Sequence, residues 1–318
     1  MSPQTSTADP AASVIAARPV VYGLPSAELV VVPQHAAQVS PLIPGSARLE
    51  DHSLAAAPGP AVVLAPPGTS ERRYTLALAL RALAPGETLV ALAPKDRGGS
   101  RLARELAGFG CMVAEEARRH HRICTVSRPA ALDGLQDAIE EGRSRHIDNI
   151  ALCTQPGIFS WNRIDPGSDL LLRHLPKLSG RGADFGCGLG VLALAVLHSE
   201  TVSSLTMFDI DRRAVEMARR NVDDPRASVV WADLRQRDLA LTRLDFVVMN
   251  PPFHDGGSED QALGKAFIAR AAEALRPGGT LWITANTHLP YEASLRAAFR
   301  NVIPVVSEGG YKVYEARK

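Results

Sequence analysis

Apolar residues come in short runs along this chain, and most runs are closed by glycine, proline or an acid. Between residues 20 and 150 the runs are AELVVV (27–32), PAVVLAPP (60–67), RYTLALALRAL (73–83), ETLVALAP (87–94) and SRLARELAGFG (100–110). Short strand-like runs and longer helix-like ones alternate, which predicts a parallel sheet with helices on its faces. PLIPGS, APGP and APPGTS punctuate this half heavily. None of its strands leads into a glycine-rich binding loop. VVLAPPGTS offers one glycine behind two prolines, a turn with little room for a ligand to approach the backbone. A second, better-marked alternation covers residues 155–318, and the join falls near EEGRSRHIDNIALCTQPG. The expected division is a disordered polar tail at 1–19, an N-terminal domain at 20–150 and a second domain at 151–318.

One run ends oddly. LDFVVMNPPFHDGG climbs through Phe246, Val247, Val248 and Met249, then stops at Asn250 and two prolines. Two prolines break a helix and cannot donate to a sheet ladder. Three upstream stretches explain the stop. RGADFGCGLGVLALAVL predicts a strand ending at Asp184 and Phe185, a loop Gly186-Cys187-Gly188-Leu189-Gly190, and an apolar helix. Such glycines turn the chain tightly and let a ligand touch the backbone. A strict dinucleotide fingerprint wants Gly or Ala where this chain has Val191. An acid followed by GxGxG suits S-adenosylmethionine better than NAD; a plain turn is the alternative.

SLTMFDIDRRAVEMARRN follows, with a strand ending at Asp209 and a helix starting near Asp211. An acid at the second strand's tip is where a ribose diol is read. Asp211 reads as the helix N-cap. ASVVWADL gives a third strand with Asp233 just past it, able to accept from an adenine amino group or to serve as a cap or turn residue. The strand at 244–249 is then the fourth, beside the first, at the topological switch point where open α/β sheets bind ligands. The prolines hold Asn250 and the Pro251 carbonyl in one geometry, as a pair of acceptors for a planar exocyclic amine. Guanine, adenine and a glutamine amide all carry one. Phe253 supplies a face for base stacking.

Composition narrows the partners. The chain has 318 residues, 46% of them apolar, with 35 Lys and Arg against 34 Asp and Glu. Near neutrality requires any nucleic-acid contact to be a local patch. Such a patch is Arg118, Arg119, His120, His121, Arg122 and Arg128, with Arg143, Arg145 and Arg163 nearer the join. The alternative is a solvated helix face balanced by Glu115 and Glu116. The four cysteines show no metal-like spacing, so no metal is expected and a reduced, cytoplasmic setting fits. Cys187 reads as a small loop filler. No apolar run approaches membrane-spanning length, and the N-terminus is not a convincing signal peptide.

DFGCGLG, FDID, WADL and NPPFH together resemble class I S-adenosylmethionine-dependent methyltransferases acting on amino nitrogens. PGIFSWNRIDPGSDLLLRHLP, NPPFHDGG and the C-terminal ANTHLPYEASLRAAFRNVIPVVSEGGYKVYEARK resemble more closely the ribosomal RNA small-subunit guanine-N2 methyltransferases, C type. The resemblance covers 155–318 strongly and the first half loosely. It implies an α/β fold: a C-terminal Rossmann-like methyltransferase domain with a mostly parallel seven-stranded sheet, plus an N-terminal degenerate methyltransferase-like domain that binds RNA or is structural. It implies methyl transfer from S-adenosylmethionine to a guanine N2 amine of ribosomal RNA, or of the small ribosomal subunit, by a monomer that binds no membrane. Asn250, Pro251, Pro252 and Phe253 match the catalytic amine motif. Asp184, Gly186, Gly188, Gly190, Asp209, Asp233 and Asn250 match the cofactor residues, and Asp165, Gly167 and Ser168 the loop approaching the methionine end. RIDPGSDLLL also reads as a Pro-Gly turn with a Ser N-cap. Phe253, His254, Arg163, Arg118, Arg119 and Arg122 are the expected substrate contacts, although a histidine after a turn is more often a surface residue. Two other classes compete: a methyltransferase on a protein glutamine amide or another nucleic-acid amine, and a non-catalytic RNA-binding protein that kept the fold. The glutamine-amide family typically ends its motif in Tyr and has a small helical first domain, unlike this chain. Intact Asp184, Asp209 and Asn250 argue against decay.

Overall fold

The structure is a computed structural model and describes residues 19–51, 59–236, 239, 241–252, 254–255, 258–259 and 261–318. The expected tail lies outside them except at Pro19, and so does Phe253. The chain forms two compact units. One gathers residues up to 40, 47–65 and 75–138; the other gathers 41–46, 66–74 and 139–318.

The first unit holds a six-stranded sheet in the order β2-β1-β3-β4-β6-β5. Its strands are β1 (Val20–Tyr22), β2 (Ala37–Gln38), β3 (Ala61–Leu64), β4 (Thr88–Pro94), β5 (Val113–Arg118) and β6 (His121–Ser127). β2, β1, β3 and β4 run parallel, as the alternation predicted. β5 and β6 depart from it: they form a hairpin, and β6 pairs antiparallel with β4. Helix α1 (Thr69–Ala82) separates β3 from β4, and α2 (Ser100–Gly108) buries Leu102 and Leu106 one turn apart. The AELVVV run is not a regular element but a turn and an extended loop. Pro25 and Pro33 bracket it, and no strand among the described residues pairs with it. It lays Leu29 on Val21, Val62, Leu92 and Ile123 while Val31 stays 84% exposed.

Helix α3 (Leu135–Gly142) and a hairpin of β7 (Arg145–Ile147) and β8 (Leu152–Thr154) lead into the second alternation. There follow α4 (Pro166–His174), β9 (Gly180–Phe185), α5 (Val191–Leu197), β10 (Val202–Asp209), α6 (Arg212–Asn221), β11 (Ala227–Trp231) and β12 (Leu244–Met249). Two-residue strands β13 (His254–Asp255) and β14 (Ser258–Glu259) precede α7 (Gln261–Ala274), β15 (Leu275–Asn286), α8 (Tyr291–Ala298), β16 (Asn301–Glu308) and β17 (Tyr311–Arg317). The main sheet has seven strands in the order β11-β10-β9-β12-β15-β17-β16. Six of the seven run in one direction, and β17 alone in this sheet is antiparallel to both its neighbours, β15 and β16.

β12 shows why its sequence reads as a continuous apolar run. Phe246 and Val248 pack with Leu170 and Leu171 of α4 and Val196 of α5 on one face. Val247 and Met249 pack with Ile268 of α7 and Leu295 of α8 on the other. A strand covered on both faces has no polar side to show. The sheet order reverses between β9 and β12, so the chain leaving each of them opens onto a shared crevice. No helix among the described residues is long and apolar enough to cross a membrane.

Candidate active site

Asn250 is the first residue past β12, whose last residue Met249 lies opposite Phe185 of β9 and Ile283 of β15. Its side chain is fixed from outside the strand. Asn250 Nδ2 donates to Asp165 Oδ2 at 2.8 Å and to Ser168 Oγ at 2.9 Å. A carboxylate only accepts, so the nitrogen end of the amide must face Asp165. Both amide N–H bonds are thereby used, and Asn250 Oδ1 is the end left to accept. Asp165 is itself placed by α4: it is the N-cap, its Oδ2 accepts from Ser168 N at 2.9 Å, and Pro166 opens the helix. Ser168 is buried, and its hydroxyl is spent on Asn250 rather than held as a free cap. Pro251 is buried and Pro252 half-buried, which holds the chain past Asn250 against the core. His254 contributes its backbone to β13, and Arg163 is exposed.

The glycine loop lies beside this group. Gly186, Gly188 and Gly190 all carry positive φ, as the glycines of a tight strand-to-helix turn do. At Gly190 a Cβ would also come within 2.7 Å of Val222, whereas nothing lies within 4 Å of a Cβ on Gly188. The loop is tied to the tip of β10. Gly188 N donates to Asp209 Oδ2 at 2.8 Å, and Asp211 N to Asp209 Oδ1 at 2.9 Å. Burial pushes the Asp209 carboxyl up to about 6 against the pull of the Asp211 amide. Asp184 is fully buried near the end of β9, and neither of its oxygens has a close hydrogen-bond partner among the described residues. Burial pushes its carboxyl up to about 8, and the Asp209 charge adds to this. Burial also drives the Cys187 thiol well above its ordinary range, so it is an inert filler.

Four expected residues are engaged elsewhere. Asp233 follows β11 as predicted, but its carboxylate forms a bidentate pair with Arg235 at 2.8 to 3.0 Å. Burial alone would raise the Asp233 carboxyl; the hydrogen bonds and charge of Arg235 outweigh it and hold it low. Arg118, Arg119 and Arg122 sit on the β5–β6 hairpin, so the basic cluster is not a helix face. Arg118 pairs with Glu116 at 2.8 Å, Arg119 with Glu28, and Arg122 with Glu115 at 3.5 Å.

Sequence reading missed one tie. Asn221, the last residue of α6, accepts from Cys153 N at 2.7 Å and donates to Cys153 O at 2.9 Å and Leu189 O at 3.0 Å. Its side chain thus clamps β8 to the glycine loop. An amide at the end of an amphipathic helix carries no sequence signal for such a contact.

The family model of the methyltransferase small domain matches residues 149–315. The ribosomal RNA small subunit methyltransferase C of Pseudomonas paraeruginosa (strain DSM 24068 / PA7) is 33% identical over 288 residues, covering 89% of this chain and 86% of that protein. The chain belongs to the ribosomal RNA small subunit methyltransferase C family. A second member, from Pseudomonas aeruginosa (strain LESB58), is 32% identical over 315 residues and 94% of each chain. Among solved structures, the T. thermophilus 16S rRNA N2 G1207 methyltransferase in complex with AdoMet and guanosine superposes with a TM-score of 0.70 at 26% identity. That match covers 86% of this chain and 76% of the other.

Proposed function

We propose that this chain transfers a methyl group from S-adenosylmethionine to the exocyclic N2 amine of a guanine in 16S ribosomal RNA. The observation that carries the reading is the Asn250 amide, whose N–H bonds both go to Asp165 and Ser168. An amide held this way presents an acceptor, and an exocyclic amine is what needs one. The chain's relatives are ribosomal RNA small subunit methyltransferases, and the solved one is a 16S rRNA N2 G1207 methyltransferase bound to AdoMet and guanosine, which supports RNA as substrate and a guanine amine as the acceptor. The same acceptor pair would also suit a glutamine amide, and it is the relatives that favour RNA.

The residues present fit the cofactor. Asp184 is a buried carboxyl group with no close hydrogen-bond partner for either oxygen among the described residues, and a cationic group would favour its ionised form. Asp209 stands at the strand tip where a ribose diol is read, and the open side of Gly188 leaves room for a ligand against the backbone. When bound, S-adenosylmethionine supplies a methyl group already activated by its sulfonium. The protein's part is therefore positioning and exclusion of water. Guanine N2 is a poor nucleophile because its lone pair is delocalised into the ring. Asn250 Oδ1 and the Pro251 carbonyl accept its two N–H bonds and favour the pyramidal nitrogen of the transition state. No strong general base is required before attack, because the amine proton becomes acidic once the nitrogen is alkylated. Phe253 is proposed to stack on the base. The chain is further proposed to act as a cytoplasmic monomer, and light scattering of the purified protein would check the monomer.

The test is Asn250→Ala. Turnover on ribosomal RNA or assembled small subunits should fall ~100-fold or more, as for other preorganised polar groups. Affinity for S-adenosylmethionine should change far less. Methylation at the wild-type rate would reduce the Asn-Pro-Pro stretch to a rigid turn.

A further inference from the structure

Tyr311 opens β17 directly after the Gly309-Gly310 turn, and it lies opposite Asn286, the last residue of β15. It therefore stands at the same end of the sheet as Asn250. The strand order fixes which side of Asn250 it occupies. Asp184 and Asp209 sit on β9 and β10, to one side of β12; β15 and β17 lie to the other. The glycine loop and Tyr311 thus flank Asn250 from opposite sides.

The ring is held in place. A Cβ on Gly167, in the first turn of α4, would come within 2.6 Å of Tyr311 Cδ1 and 2.8 Å of Cε1. The same point lies 3.0 Å from Asp165 Oδ2. Only a bare α-carbon lets the ring and the Asp165 carboxylate share that corner. The ring packs on the cluster of Leu171, Val248 and Val313 and is half-buried. Burial first, then the Asp165 charge, raises the phenol above its ordinary range, with Arg163 opposing. The phenol therefore keeps its proton across the neutral range. Its hydroxyl has no hydrogen-bond partner among the described residues. A phenol packed on one side and unpartnered at its tip matches the usual form of an amphipathic contact to a ligand.

We propose that Tyr311 is a substrate-contact residue, its ring walling the target base on the β15–β17 side of Asn250 and its hydroxyl donating to an acceptor of that base. This rests on the reading that Asn250 holds the target amine. Guanine carries acceptors at N3 and O6 around its amine-bearing ring, so a donor there adds selectivity for a base over a bare amide.

Tyr311→Phe keeps the ring and removes the hydroxyl, and Tyr311→Leu removes both. Full-length protein should be compared in steady-state kinetics on its ribosomal RNA substrate, in RNA titration, and in calorimetry with S-adenosylmethionine. Tyr311→Phe should lower kcat/KM about tenfold through KM and weaken RNA binding, with S-adenosylmethionine affinity within about twofold of wild type. Tyr311→Leu should lose more on the RNA side and remain within about twofold for S-adenosylmethionine, which also shows that the site is folded. An unchanged kcat/KM in Tyr311→Phe, with Asn250→Ala crippled, overturns this inference alone. Equal losses of S-adenosylmethionine and RNA affinity in Tyr311→Phe overturn it too, since the residue would then serve the cofactor side. A wild-type rate in Asn250→Ala would instead remove the amine-site reading on which it rests.

Discussion

Asp184 sits dry, with its carboxyl raised from 3.8 to about 8 by burial and by the Asp209 charge, against the Ala193 amide. A raised acid holds its proton in the folded protein at pH values where the unfolded chain has released it. The folded state then binds more protons than the unfolded one between about pH 4 and pH 8, so stability falls as pH rises through that window. Asp209, raised to about 6, adds to the fall over the lower part of it. A cationic cofactor reverses the balance by favouring the carboxylate. Binding near pH 7 should release protons, and affinity should rise toward pH 8. Calorimetry in buffers of different ionisation enthalpy reads the proton count. Asp184→Asn should flatten both the stability slope and the affinity slope; if the Asn variant releases the same protons, another group carries the linkage. Asp184, Asp209, Asp233 and Asn250 were legible in the sequence because each marks the end of an apolar strand, a position that periodicity alone locates. The Asp165–Asn250 contact was not, since 85 residues separate the partners and only the folded sheet brings them together. The Arg235 pairing that occupies Asp233 was equally hidden, because a DLR triplet reads the same whether or not its ends meet.

The clamp made by Asn221 gives α6 a second task beyond packing on the sheet. Its three hydrogen bonds join β8, α6 and the glycine loop at Leu189. Asn221→Ala should cost on the order of 1–3 kcal/mol, because it leaves half-buried backbone groups without partners. S-adenosylmethionine affinity should fall with it, by about tenfold, if the loop's shape is set here. Asn221→Asp is the sharper variant. It can still accept from Cys153 N but sets a carboxylate against two carbonyl oxygens. Thermal denaturation and titration should find it at least as damaged as the alanine variant, and a wild-type Asp variant would mean the clamp is incidental. Elements of the second unit were readable because each strand is bracketed by turn residues and helices carry their own caps, as with Asp165 and Asp211. The first unit resisted at two places. AELVVV looks like a strand, yet with Pro25 and Pro33 at its ends it folds as a covering loop that lays Leu29 on the sheet. The β5–β6 hairpin turns at Arg119 and His120, both in the left-handed region, where neither residue type signals a turn as Gly or Asn would.

Across the whole chain 35 basic residues face 34 acidic ones, so attraction to RNA has to come from how charges are grouped. The proposal that the first unit grips RNA rests on Arg118, Arg119 and Arg122 of the β5–β6 hairpin. Each of them is paired with a glutamate: Glu116, Glu28 and Glu115 respectively. The Arg118 and Arg119 pairs are exposed and the Arg122 pair is partly so; such pairs are worth little in water, so a phosphate can displace the glutamate from its arginine. Displacement has two consequences that pull apart in experiment. Reversing Arg118, Arg119 and Arg122 to Glu should weaken RNA binding and flatten its salt dependence by up to about 0.7–0.9 in slope for each phosphate no longer neutralised. Replacing Glu115 and Glu116 by Gln should do the opposite at low salt, because the arginines no longer have to give up a partner. S-adenosylmethionine affinity should stay unchanged in both variants, which separates a grip on RNA from damage to the cofactor loop. Filter binding of ribosomal RNA from low to moderate salt measures the slopes. Equal slopes in wild type and the arginine reversal, with no tightening in the glutamine variant, would mean that the hairpin is a solvated, self-neutralised surface. RNA would then have to be held by cations elsewhere, with Arg163, three residues after Ser160 and two before Asp165, the first to test.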